Sequence, residues 1–274
     1  MPAMAAPADI ESTVTLRFYG PLDRIRSRRT SDPEYALTLP YRRSVKDLIE
    51  SEGVPHTEVA MVLINGEPAG LDYVLSGGER ISAFPAFARL KGATHELRPP
   101  PLVADVHLGK LARRLRLLGF DCVYGNSLQD EEIAERSASE CRTVLTCDRQ
   151  LLMRRQVTAG LLILSNRADE QVDQVLERLS PLSDLQPYTR CLDCNGLLGE
   201  VPAEQVHDLL PPLTRIHVTT CFRCTKCGKP YWKGGHWTAI ENWVQRAMER
   251  TAAFRMWEEE GLPADSRAGP ETTT

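Results

Sequence analysis

Two pairs of cysteines place the tightest limit on what this chain can fold into. CLDCNG at 191–196 and CTKCGK at 224–229 are both C-x-x-C turns with a glycine close behind. Such turns point their thiolates inward, and two of them supply the tetrahedral sulfur set that zinc takes in structural sites. Cys191, Cys194, Cys224 and Cys227 are therefore the expected Zn2+ ligands. The stretch 195–223 between the pairs is longer than the usual ribbon spacing, and a short helix such as AEQVHDLL can fill it. CFRC at 221–224 has the same spacing, so Cys221 competes for a ligand position. Gly228 favours Cys224 and Cys227, because the second turn needs a glycine there, and Gly196 sits similarly. Cys122, Cys141 and Cys147 read as small core or surface residues.

Composition narrows the class. Hydrophobic residues make up 42% and charged residues 26%, as in an ordinary globular protein. A formal net charge of −4 means that any nucleic-acid surface must be local. No apolar run is long enough for a membrane span. MPAMAAPADIES has neither a basic n-region nor an apolar core, so it reads as a mobile tail. The expected location is the cytoplasm, where eight cysteines suggest metal ligands before disulfides.

Turn residues divide the chain. Residues 13–88 read β-β-α-β-β: TVTLRFYG ends at Gly20-Pro21, YALTLP follows, Ser44 caps SVKDLIESEG, VAMVLING turns at Asn65-Gly66, and LSGGERISAFP closes the segment. The ending SGGERISAFPAF resembles that of the ubiquitin-like β-grasp sulfur carriers. Those carriers act through a free terminal Gly-Gly, whereas this chain runs on, so the resemblance implies the fold and a docking or substrate-guiding role. The partner of this domain is not identified by the sequence. Residues 89–101 form a linker stiffened by Pro99, Pro100 and Pro101. In 102–182, strands LVADV, DCVYG, RTVLTCD and GLLILS alternate with helices, which argues for a parallel sheet with flanking helices, an α/β fold. Leu108, Leu111, Leu115 and Leu118 form the core-facing stripe of the first of those helices. The ribbon occupies 188–240, a helix 241–262 and a disordered tail 263–274.

Asp105 and Asp148 end two of these strands, and Asp130 opens the helix leading into the second. Ligands of open α/β sheets bind beyond the strands' carboxyl ends, so the three acids can share one crevice. Hard cations such as Mg2+ or Mn2+ bind through a few carboxylates plus water and phosphate, and can activate water for phosphodiester cleavage. Asp148 also precedes a helix, where an aspartate caps.

At this point LVADVHLGKLARRLRLLGFD, DEEIA and RTVLTCDRQLL resemble the Mut-seven C-terminal ribonuclease family, a branch of the PIN-like nucleases. The resemblance implies a PIN-like domain at 102–182, a zinc ribbon behind it and a ubiquitin-like domain in front. It implies a metal-dependent ribonuclease, with tRNA as one candidate among structured RNAs, and Asp105, Asp130 and Asp148 as catalytic ligands of Mg2+ or Mn2+. Many PIN nucleases carry a further glutamate between the first two acids, and HLGKLARRLRLLG has none. Glu131, Glu132 and Asp121 are the candidates for a fourth carboxylate.

Lys110, Arg113, Arg114 and Arg116 flank the leucine stripe, either as a solvated face or as phosphate contacts. In YWKGGHW, Trp232, Lys233 and His236 suit stacking on unpaired bases and a cationic contact. The other reading is that Tyr231, Trp232 and Trp237 pack the ribbon's core. The rival to catalysis is an RNA-binding adaptor that keeps a nuclease fold, and a third reading is a sulfur-carrier partner.

Overall fold

The computed structural model describes residues 12–28, 30–85, 100–179, 185–216 and 218–260, excepting the side chains of 213, 214 and 253–260. The first expected tail apart from Ser12, the second tail and most of the linker lie outside these residues. The described residues pack as two compact units, one drawn from 12–85, 103–107 and 126–163, the other from 100–102, 108–125 and 164–260.

In the first unit, alternation builds the first sheet. Val14, Leu16 and Phe18 of β1 (Ser12–Phe18) are buried, and the residues between them are not. Pro21 then starts a short helix, α1 (Pro21–Ile25), where the sequence suggested only a turn. Proline's fixed φ and missing N–H suit a first helical position. β2 (Glu34–Leu39) pairs antiparallel with β1. Ser44 caps α2 (Val45–Ser51) in a capping box, its hydroxyl accepting from Asp47 N–H at 3.1 Å. β3 (Val59–Ile64) turns through Asn65 (φ 54°) and Gly66 (φ 91°) into the short β4 (Glu67–Ala69). Two positive φ values are what a two-residue hairpin turn requires. β5 (Arg80–Pro85) completes the order β2-β1-β5-β3-β4, parallel to β1 and antiparallel to β3. Gly77 and Gly78 form the turn into β5, where Ser76 and Gly77 N–H groups each donate to the Glu79 carboxylate at 2.7 Å. The Gly-Gly pair is thus an internal turn.

The next elements alternate: β6 (Leu102–Ala104), α3 (Gly109–Leu117), β7 (Cys122–Val123), α4 (Asp130–Glu140), β8 (Thr143–Thr146), α5 (Arg149–Met153), β9 (Gly160–Leu162) and α6 (Ala168–Leu179). The sheet order is β7-β6-β8-β9, with β8 and β9 parallel in the register Val144↔Gly160 to Thr146↔Leu162. All four residues of β8 are buried, the pattern of a strand covered on both faces. Within the first unit, the buried Glu58 carboxylate accepts the N–H of Leu162, which closes part of the β9 edge.

In the second unit, Leu108, Leu111, Leu115 and Leu118 are buried as the stripe predicts. Gly119 (φ 96°) ends α3, and a Cβ there would lie 2.2 Å from the Gln186 carbonyl oxygen. β10 (Leu198–Pro202), α7 (Pro212–Arg215), β11 (Thr220–Cys224) and β12 (Pro230–Tyr231) form the ribbon, with sheet order β10-β11-β12. A 3-10 stretch, Ala203–Leu209, fills the long gap between the cysteine pairs and packs Ala203 and Val206 with Leu210 on Cys221. α8 (Trp237–Glu260) buries Val244, Ala247 and Thr251.

Gly119→Ala should lower stability by about 2 kcal/mol or more, from left-handed strain plus the backbone clash. Thermal melts check this, and a variant as stable as the parent would contradict the role given to Gly119.

Candidate functional site

The cysteines form the better defined centre. The Sγ atoms of Cys191, Cys194, Cys224 and Cys227 all lie within 4.8 Å of one another. Cys191 and Cys227 sulfurs are 3.7 Å apart, and those of Cys194 and Cys224 are 3.4 Å apart. Sulfurs ~2.3 Å from a tetrahedral zinc would be ~3.8 Å apart, so the donor set and its spacing fit that ion. Backbone N–H groups turn toward the sulfurs: Cys194 N–H lies 3.5 Å from Cys191 Sγ, and Lys226 and Cys227 N–H each lie 3.4 Å from Cys224 Sγ. Burial alone would raise the Cys191 thiol, but the Tyr231 hydroxyl at 3.1 Å and neighbouring N–H groups outweigh it and bring it down to about 6. The left-handed residue is Gly228 (φ 75°) in the second turn but Asn195 (φ 68°) in the first, not Gly196. Gly196 is required for space, since a Cβ there would meet Cys224 Sγ at 2.9 Å and Lys226 Cβ at 2.7 Å. Cys221 packs in the ribbon's apolar core and is not one of the four clustered thiols.

A buried cation braces the first turn. Arg116 is 2% exposed, and its Nε donates to Cys122 O at 2.8 Å while Nη1 donates to Leu192 O and Asp193 O, both at 2.9 Å. The expectation that Arg116 contacts phosphate is therefore corrected: its donors are used on carbonyls inside the protein. Arg113 is exposed and 3.5 Å from Asp193, Arg114 pairs with Asp169 at 2.8 Å, and Lys110 is exposed. Trp232 is half-buried against the ribbon core, as the packing alternative holds, while Lys233 sits over the Trp237 ring at 4.9 Å and His236 is exposed.

The aspartates lie in the first unit. Asp105 follows β6 and is 6% exposed. Its Oδ2 accepts the Thr146 hydroxyl at 2.6 Å, and the same Thr146 oxygen accepts the Asp148 N–H at 2.9 Å. One threonine thus joins two of the acids. Asp148 Oδ1 caps α5, accepting from Gln150 N–H at 2.8 Å. Asp130, the first residue of α4, lies 3.4 Å from Arg154 Nη2, and Glu131 accepts from Arg154 Nη1 at 2.9 Å. The Glu131 hydrogen bond leads the causes that raise the Arg154 pKa, and the charges of Asp130 and Asp148 add to it. Among the described residues the four cysteines, and not the three aspartates, make a group of three or more potential ligands within coordinating reach.

The fourth carboxylate is not supplied freely. Glu131 is held by Arg154, Glu132 closes the α4 capping box, and Asp121 accepts from Asn195 at 2.7 Å in the other unit. Burial first, and then the Asp105 charge, raise the Cys147 thiol, which keeps it a poor nucleophile. Sequence reasoning does not single out Arg154, which lies among the residues after the strand RTVLTCD. Its signal was a basic pair a few residues after an acidic strand end.

Zinc should be retained at one per chain in Cys221→Ser and lost in Cys224→Ser, as measured by metal analysis after gel filtration. Arg116→Met removes the donors to three carbonyls and should cost about 3 kcal/mol, since each lost hydrogen bond to a charged group costs about 1.5–3 kcal/mol. Equal denaturation midpoints for Arg116→Met and parent would contradict the brace.

Residues 100–244 match the family model described as the Mut7-C RNAse domain, and residues 11–91 match the Mut7-C ubiquitin model. Searches of curated proteins and of solved structures returned no match. The first match covers more than half of the chain and contains Asp105, Asp130, Asp148 and the four clustered cysteines. The chain belongs to the Mut7-C RNAse domain family, with the family's ubiquitin-like domain in front.

Proposed function

We propose that this protein is a metal-dependent ribonuclease that hydrolyses RNA phosphodiesters, structured RNA such as tRNA being one candidate substrate. The observation that carries the reading is the Thr146 hydroxyl, which joins Asp105 to Asp148 at the ends of neighbouring strands. Asp105, Asp130 and Asp148 offer only oxygen donors, the chemistry preferred by Mg2+ or Mn2+. Such an ion, when bound, supplies an activated water and charge stabilisation for the leaving oxygen.

The protein's own groups have defined tasks in this reading. Thr146, by donating to Asp105 Oδ2, holds one carboxylate oxygen and leaves the other for a ligand. The short α5 cap fixes Asp148 through Gln150. Arg154 neutralises Asp130 and Glu131 and is placed to exchange that pairing for an RNA phosphate. The nuclease domain is taken as residues 102–182, and the ribbon, the ubiquitin-like domain and the cations Lys110, Arg113 and Lys233 position the substrate. A non-catalytic RNA-binding adaptor is the second reading, favoured by the Arg154 ion pairs that already satisfy Asp130 and Glu131.

Incubation with total RNA, with Mg2+, with Mn2+ or with neither, tests the proposal. Cleavage should require the metal and fall at least about a hundredfold in Asp105→Asn and Asp148→Asn, the scale on which a catalytic group contributes. Cleavage by both variants at the parent rate would end the site assignment. RNA retained on the protein but left intact under every condition would support the adaptor.

A further inference from the structure

α3 and α8 leave an open cavity of about 280 Å3 inside the second unit, lined by Arg114, Leu117, His236, Ala239, Ile240 and Trp243. Nothing in the zinc centre or the aspartate site uses it. One wall is fixed by a shared anchor: Asp169 Oδ1 pairs with Arg114 Nη1 at 2.8 Å and accepts Trp243 Nε1–H at 2.8 Å. The guanidinium consequently lies 5.4 Å over the indole centre. Leu117 and the exposed Ile240 give the cavity apolar surface, and His236 adds a polar ring.

We infer that this cavity takes one unpaired nucleotide of an RNA strand, an assignment that rests on the ribonuclease reading. Size is the first argument. The volume of about 280 Å3 lies just below the range of drug-sized ligand pockets, which starts at about 300 Å3, and suits one planar base better than an extended ligand. Surface chemistry is the second, because unpaired bases stack on aromatic rings and on arginine planes, both present here. Charge is the third. Lys110, Arg113, Arg114 and Leu117 follow i, i+3, i+4, i+7 on α3, so exposed cations run along the helix face that leads into the cavity. Asp193 and Asp169 offset Arg113 and Arg114, while Lys110 has no acidic partner among the described residues. Lys233, three residues before His236, adds an exposed ammonium on the α8 side.

The test is fluorescence anisotropy without divalent metal or chelator, so that no hydrolysis occurs and zinc stays in place. A short single-stranded RNA and a blunt duplex of the same sequence are compared for parent, Ala239→Phe and His236→Ala. Ala239 is exposed, so phenylalanine there fills the cavity without entering the core. Ala239→Phe should raise the Kd for the single strand about tenfold, the scale of losing one stacked base, and leave the duplex Kd unchanged. AMP should quench the parent's tryptophan fluorescence and not that of Ala239→Phe. Should Ala239→Phe lose its zinc or its melting transition, His236→Ala decides by the same comparison. Single-strand affinity unchanged in the folded variants overturns the assignment, as does equal weakening for single strand and duplex. Dimerisation of the parent that Ala239→Phe abolishes, with RNA affinity unchanged, would assign the cavity to a second copy of the chain instead. The two readings fail separately: an inactive protein whose single-strand affinity falls in Ala239→Phe keeps the cavity assignment, and an active one whose affinity does not change loses it.

Discussion

The second unit is organised around one buried cation. Arg116 leaves the leucine-lined helix and reaches the β7 carbonyl of Cys122 and the carbonyls of Leu192 and Asp193 in the first cysteine turn. A buried guanidinium is costly unless its donors are satisfied, and here carbonyl dipoles satisfy it. Charge is balanced around Asp193: the hydrogen bond from Lys229 leads in holding its carboxyl below the usual range, and Arg113 and Arg116 add to it. The metal turn, the helix and the strand therefore constrain one another through a single side chain. Loss of zinc and loss of this brace should weaken the same region.

The first unit anchors its acids differently, through a neutral hydroxyl and a cation. Thr146 donates to Asp105 and accepts from the Asp148 backbone, so it orients two acids without adding a charge. Asp130 instead sits at the start of α4, 3.4 Å from the Arg154 guanidinium. A neutral hydroxyl and a guanidinium thus anchor these acids within the first unit.

Much of this was legible in the sequence where local chemistry dictates geometry. The cysteine spacing specified which four thiols cluster, the leucine repeat specified the buried face of α3, and Asn65-Gly66 specified a hairpin turn. What failed to be legible depends on the third dimension. Arg113, Arg114 and Arg116 look alike in a run of basic residues, yet the helical period turns Arg116 inward and leaves Arg113 exposed. Arg154 was invisible as a site residue because its partners, Asp130 and Glu131, are more than twenty positions away. Asn195 took the left-handed position assigned to a glycine, which asparagine tolerates better than other residues with a side chain. The short α1 was hidden by a Gly-Pro pair that can end a strand or start a helix.

The claim at the centre of this account is that Asp105, Asp130 and Asp148 form a divalent-cation site separate from the zinc centre. Titration of the zinc-loaded protein with Mn2+, followed by electron paramagnetic resonance, tests this without reference to any RNA. The account predicts saturable Mn2+ binding that is lost in Asp148→Asn while zinc content stays at the parent level. Mn2+ binding of equal affinity and stoichiometry in parent and Asp148→Asn would contradict it.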